Sequence, residues 1–169
     1  SRSGASHPHL EKLIVGKSLV LEKLDLLDVN AVQCVLSKYK PKLVFHLAGQ
    51  SSVGMSFEDP EGTFSSIVTT THNLLDAIRQ QSPGSRIFIA GSSEIFGINQ
   101  KEPVTCSTPT NPQNPYGTAK ADAFHLVRES RKIHGIYACT GVLFSHESPL
   151  RPKHFVSQKI IRGACALQR

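Results

Sequence analysis

No apolar run in this 169-residue chain approaches the ~18 residues that a membrane-spanning helix requires. The first residues, Ser1-Arg2-Ser3-Gly4-Ala5-Ser6-His7-Pro8, also lack the apolar centre of a secretory leader. From both absences we expect a soluble, cytoplasmic protein with no membrane partner. The four cysteines, Cys34, Cys106, Cys139 and Cys165, have neither the short paired spacing of a zinc site nor the density of a disulfide scaffold. They read as reduced, mostly buried thiols. A basic stripe with interleaved aromatics is missing too, because the 19 Lys and Arg residues are scattered and only Arg128, Arg131 and Lys132 gather. The excess over 13 acidic residues suits anionic small molecules rather than nucleic acid. None of the eight histidines has ligand spacing, so no metal is expected, and His46 reads as a core residue. There is no internal repeat and no low-complexity linker.

What the chain does contain is an alternation of short apolar runs with longer segments of helical period, the pattern of parallel strands joined by crossover helices. The strand candidates are Ser18–Leu24, Leu43–Leu47, Arg86–Ala90 and Tyr137–Phe144, apolar enough to be buried on both faces of a sheet. The helix candidates are Val29–Tyr39, ended by Pro41, then Glu61–Gln80, Tyr116–His134 with Gly135 as its C-cap, and Phe155–Leu167. Lys101–Pro115 holds four prolines and reads as a loop. The expected class is α/β, a Rossmann-type doubly wound parallel sheet. A dinucleotide-binding sheet normally opens with a strand, a glycine-rich turn and a helix, and no G-x-G-x-x-G occurs here. We therefore expect residues 1–169 to form one partial domain, incomplete at its N-terminal βα unit, with a substrate-binding region starting from about residue 145. A chain beginning at Ser1 would bind a dinucleotide poorly.

The chemistry gathers around Tyr116 and Lys120, a Y-x-x-x-K pair whose spacing puts both side chains on one face of a helix. A nearby ammonium favours the phenolate and draws a tyrosine toward acid/base work. Alone, the pair is equally an amphipathic helix face. Gly91-Ser92-Ser93-Glu94 adds weight, since it follows Arg86–Ala90 at the carboxyl end of a strand, where open α/β sheets place their ligands. Ser92 can hydrogen-bond a substrate hydroxyl and the tyrosine oxygen, and Glu94 can act as a second proton acceptor. The competing reading of Ser92 as a helix cap has a spacing one residue short, and no helix is expected to continue through Ile95-Phe96-Gly97.

Four runs occur in the order seen in extended short-chain dehydrogenases/reductases: Leu47-Ala48-Gly49-Gln50-Ser51-Ser52-Val53, Ser92 to Gly97, Asn114-Pro115-Tyr116-Gly117-Thr118-Ala119-Lys120, and Phe144 to Arg151. The run His146-Glu147-Ser148-Pro149-Leu150-Arg151, followed by Phe155-Val156-Ser157-Gln158-Lys159-Ile160, resembles the GDP-mannose 4,6-dehydratase family in particular. The likeness covers nearly the whole chain. It implies a lyase in which Ser92, Glu94, Tyr116 and Lys120 form the catalytic group. Tyr116 would take the C4 hydroxyl proton, and Glu94 would take the C5 proton and assist loss of water from C6. The implied cofactor is NADP, with contacts from Arg2, Ser3, Asp25, Leu26, Leu47, Ala48, Gly49, Gln50, Ser51, Lys120, His146 and Arg151. Ser52, Ser93, Ser145, Glu147 and Lys159 map onto substrate contacts, the substrate being a nucleotide sugar, GDP-mannose. A homodimer or homotetramer is implied as well, through helices 61–80 and 116–134.

The pattern departs from that family at three places: Ser92 where Thr is usual, Ser145 where Asn is common, and Gly62 where an aromatic often touches the cofactor. Ordinary roles compete at several positions, with Asp25 or Asp28 as a helix cap, Gly49 as a turn glycine and His146 as a turn histidine. Two other functions stay open. One is a GDP-4-keto-6-deoxymannose reductase, or another nucleotide-sugar reductase or epimerase of the superfamily; the other is a non-catalytic module that keeps the sheet.

Overall fold

The computed structural model describes residues 19–98, 103–153 and 155–167. Three parallel strands, β1 (Leu43–His46), β2 (Arg86–Ala90) and β3 (Tyr137–Gly141), lie in the order β1-β2-β3, with Leu43 opposite Arg86 and Arg86 opposite Tyr137. Helix α1 (Val29–Tyr39) precedes β1, and α2 (Val53–Glu58) and α3 (Pro60–Phe64) follow it. A π-helical turn, Ser65–Thr69, then leads into α4 (Thr70–Gln81). Beyond β2 come a single 3-10 turn (Ser93–Phe96), α5 (Pro115–His134), β3 and α6 (Val156–Leu167).

Local chemistry sets these boundaries. Asp28 caps α1 by accepting from the Ala31 amide at 3.0 Å, and Lys40 closes the helix in the left-handed region before Pro41. Ser52 caps α2 and Asp59 caps α3, where Pro60 fills the first helical position, which needs no amide hydrogen. Asn114 and Pro115 repeat that arrangement at the head of α5, and Gly135 ends it at φ +66.

The core lies on one face of the sheet. Ile87 and Ile89 of β2 and Ala138 of β3 pack with Val32 and Leu36 of α1, Leu74, Leu75 and Ile78 of α4, and Val127 of α5. The outward side chains of the same strands, Leu43, Phe45, Tyr137 and Cys139, are exposed, with the Phe45 and Phe88 rings 6.0 Å apart among them. The expectation of strands buried on both faces is thus corrected, because the long helices of the described residues share one side. The four cysteines are likewise exposed rather than buried, Cys34 on the outer side of α1 and Cys106 in the loop before α5. Cys139 points to the open face, and Cys165 sits on α6, which buries no residue. Ile133 and Phe64, both on helix segments, also remain exposed.

Residues 19–24 form no strand; Ser18 lies outside the described residues. In the doubly wound order 3-2-1-4-5-6 the third strand pairs only with the second, which the described residues do not include. Leu24 and Leu26 pack against the core, and Asn73 Nδ2 donates to the Leu26 carbonyl at 2.9 Å. The Glu61–Gln80 helix is interrupted by the π turn, and Tyr137–Phe144 is strand only to Gly141.

Candidate active site

Parallel pairing sends the loops after β1 and β2 out of the same edge of the sheet, and helix α5 begins beside them. The register of β2 on β3 continues past the strands, with Gly91 N–H donating to the Gly141 carbonyl at 2.8 Å and Ser93 N–H to that of Leu143 at 2.9 Å. Between those two bonds Ser92 is turned inward, only 8% exposed. Its Oγ accepts from the Glu94 amide at 3.3 Å, so Ser92 does cap a helical turn, the one-turn 3-10 segment that the sequence reading did not foresee. Capping and catalysis were posed as alternatives, yet one hydroxyl has two lone pairs and a proton, enough for the cap and for the Tyr116 phenol.

Tyr116 and Lys120 are buried, at 8% and 9% exposure, on the face of α5 that meets the strand ends. Lys120 Nζ donates to the Ala90 carbonyl at 2.8 Å and lies 5.8 Å from the centre of the Tyr116 ring. Burial pushes the phenol above its ordinary pKa; a hydrogen bond with Ser92 pulls it back, the Glu94 charge pushes it further up, and the Arg151 charge pulls it down. The expected lowering by the Lys120 ammonium is therefore corrected: burial sets the direction, and the charges that act on the phenol are those of Glu94 and Arg151. Burial also lowers Lys120 to about 8. It lowers His46 to about 4, with the Lys120 charge adding to the effect, and the His46 ring lies 3.4 Å from Thr70 Oγ1 in the core, as the sequence implied.

Glu94 is held from the other side. Asn114 Nδ2 donates to its Oε2 at 2.8 Å, while Asn114 Oδ1 accepts from the Gly117 amide at 2.8 Å. Gly117 permits this closeness, for a Cβ there would stand 2.8 Å from the Glu94 carbonyl oxygen. Ser92, Glu94, Tyr116 and Lys120 thus converge on one site, at the carboxyl end of β2.

The loop after β1 lies alongside. Gly49 stands at φ +123, and a Cβ there would be 3.1 Å from the Ser66 carbonyl and 3.6 Å from Ile67, which clusters with Tyr116. Gln50 Nε2 donates to Thr63 Oγ1 at 3.0 Å, and its Oε1 accepts from the Ser52 amide. Leu47, Ala48, Gly49 and Ser51 remain exposed, and Ala48, Gly49 and Ser51 offer small side chains or bare backbone at the end of β1. Such a strand-end loop fits a flat ring and ribose laid against the main chain.

The other expected contacts are less concentrated. Asp25 accepts from the Leu27 amide at 3.0 Å and leaves the capping of α1 to Asp28. Ser93 is part of the 3-10 turn, and Ser145 and Glu147 are exposed. Arg151 lies 3.5 Å from Glu147 and stacks 3.8 Å above the Phe155 ring. His146 hydrogen-bonds the Phe144 carbonyl at 2.8 Å, which favours the turn role, and Lys159 is exposed on α6. Arg2 and Ser3 lie outside the described residues. The sequence reading missed Asn114 as a member of the site. Asn followed by Pro is a helix-start signal, but its contact with Glu94 joins residues 20 apart and leaves no local trace. Among the described residues no helix is long and apolar enough to cross a membrane.

A family model described as GDP-mannose 4,6 dehydratase matches residues 3–169. GDP-mannose 4,6-dehydratase of Vibrio cholerae is 39% identical over 158 residues, covering 92% of this chain and 41% of that protein. GDP-mannose 4,6 dehydratase 2 of Arabidopsis thaliana is 36% identical over 163 residues, covering 94% and 43%. The chain spans well under half the length of these relatives. Among solved structures, RMD from Pseudomonas aeruginosa complexed with NADPH superposes with a TM-score of 0.80 at 25% identity, over 88% of this chain and 50% of that one. UDP-glucuronic acid 4-epimerase from Bacillus cereus gives a TM-score of 0.83 at 19% identity over 94% and 49%, a likeness of fold that agrees with the Rossmann-type sheet.

Proposed function

Because the chain belongs to the GDP-mannose 4,6-dehydratase family, we propose that it is part of a nucleotide-sugar 4,6-dehydratase converting GDP-mannose to the 4-keto-6-deoxy sugar. The observation that carries the reading is the convergence of Ser92, Glu94, Tyr116 and Lys120 at the end of β2, beside the open loop 47–51. Tyr116 removes the C4 hydroxyl proton, with Ser92 holding that oxygen. Lys120, fixed by the Ala90 carbonyl, supplies the positive charge that favours the phenolate once substrate excludes water. Oxidation at C4 makes the C5 proton acidic. Glu94 takes it, and the elimination expels the C6 hydroxyl as water, leaving a 4-keto-5,6-ene. A proton returns to C5 as C6 is reduced, so the sugar ends as the 4-keto-6-deoxy product with one water lost overall and no net oxidation or reduction.

A nicotinamide cofactor, when bound, would supply the hydride acceptor at C4 and the hydride donor at C6. The chain's own residues for holding it are Leu47, Ala48, Gly49, Gln50 and Ser51 along the loop and Lys120 at the ribose, with Asp25 and Leu26, His146 and Arg151 further out. The NADPH in the RMD structure supports NADP in particular, and the resemblance implies a 2′-phosphate contact from Arg2. Self-association through α4 and α5 completes the reading. Val68 of the π turn, His72 of α4 and His125 and Leu126 of α5 line a shallow depression of about 410 Å³, a surface suited to helix packing.

Incubating the intact protein with GDP-mannose and NADP+ tests the reading. A 4-keto-6-deoxy product with no net NADPH supports it, and a stoichiometric demand for NADPH would make the protein a reductase. Absence of heat in a titration with NADP+ would leave a non-catalytic module.

A further inference from the structure

We propose that Asn114 is the positioning residue that orients the Glu94 carboxylate, so that the cap of helix α5 and the C5 base form one unit. The proposal rests on the reading of Glu94 as that base. The Asn114 amide is committed in both senses, with Oδ1 accepting from Gly117 N–H and Nδ2 donating to Glu94 Oε2, each at 2.8 Å. Turned over, it would set NH2 against N–H and carbonyl against carboxylate, so only one orientation satisfies both neighbours. The backbone of Asn114 is extended, at φ −148 and ψ 160, which aims its side chain back over the first turn of α5 and across to the 3-10 turn. Asn111 N–H donates to the Ile95 carbonyl at 2.8 Å and holds the two segments together.

Chemically, an N–H donor on one oxygen of a carboxylate favours its charged form and fixes its plane. Glu94 Oε1 has no hydrogen-bond partner among the described residues and is the oxygen left to accept a proton. The other titratable or charged groups facing the site are Tyr116 and Lys120 of α5, within it, and Arg151 of the segment after β3, which acts on the phenol. None of these donates to Glu94, so the orienting contact comes from Asn114.

A cap alone and a cap that also orients the base are separated by Asn114→Asp. Asp caps helices as well as Asn does, and its negative charge suits a helix N-terminus, so the fold should be kept. Toward Glu94, however, the donor becomes a like charge, which holds the proton on that carboxylate to higher pH. In the intact protein with GDP-mannose and NADP+, we expect Asn114→Asp to melt within a few degrees of wild type and to keep KM within about threefold. Its kcat should fall about tenfold at neutral pH and recover as pH rises, with the acidic limb of the profile displaced upward by about one pH unit. Asn114→Ser, which keeps a cap but offers no charge, should displace the limb in the same direction by less. Loss of dehydration in Glu94→Gln together with wild-type profiles in both Asn114 variants would overturn the positioning role alone. Full dehydration by Glu94→Gln would overturn the assignment of the base and this proposal with it.

Discussion

Lys120 donates from Nζ to the carbonyl oxygen of Ala90, 2.8 Å away, tying the second turn of α5 to the last residue of β2. That bond turns a helix-spacing rule into a site, because it fixes where the Tyr116 face of the helix meets the strand end. It also carries a pH signature. Burial lowers Lys120 from 10.5 to about 8, so between those values the unfolded chain binds a proton that the native state does not, and stability rises with pH. Wild type should therefore gain about 3 kcal/mol relative to Lys120→Met between pH 8 and 10.5. Chemical denaturation of both proteins across that range measures the difference, and parallel curves would contradict it.

His46 gives the acid-side counterpart. Its native value is lowered from 6.5 to about 4 by burial and by the Lys120 charge. As pH falls through that window only the unfolded chain takes up the proton, so stability is lost on acidification. We expect about 3 kcal/mol more loss between pH 6.5 and 4 in wild type than in His46→Gln, which cannot titrate. The same denaturation series checks it.

Gly117 is required by space rather than by backbone angle. A Cβ would stand 2.8 Å from the Glu94 carbonyl oxygen, so Gly117→Ala should push the head of α5 away from the 3-10 turn. A cost of about 1–3 kcal/mol, with a lower kcat, is the expected outcome in thermal unfolding and turnover assays. Asp28→Ala serves as the contrast. It removes the α1 cap, remote from the site, and should cost about 1 kcal/mol with turnover unchanged.

How far the sequence could be read follows from the range of the signals involved. Helix α1, strand β2 and the body of α5 were legible because periodicity, Pro41 and Gly135 act within a few residues. Tyr116 and Lys120 were legible as a pair for the same reason, and Ser92 and Glu94 because a strand end locates a ligand site. The strand over 18–24 was misread, since a strand needs neighbours and its apolar pattern names none. The exposed cysteines were misread likewise: Cys139 is set by which sheet face the helices cover, a property of the whole fold. The raised Tyr116 pKa was hidden by the same limit, for the spacing shows the ammonium but not the burial that sets the direction.

The most direct test of the account is Glu94→Gln in the intact protein, assayed with GDP-mannose and NADP+ beside a titration with NADP+. A carboxylate that removes the C5 proton predicts a loss of 4-keto-6-deoxy product of about 10²- to 10⁴-fold, with cofactor affinity nearly unchanged. An undiminished rate of dehydration would remove Glu94 from the mechanism and contradict the account.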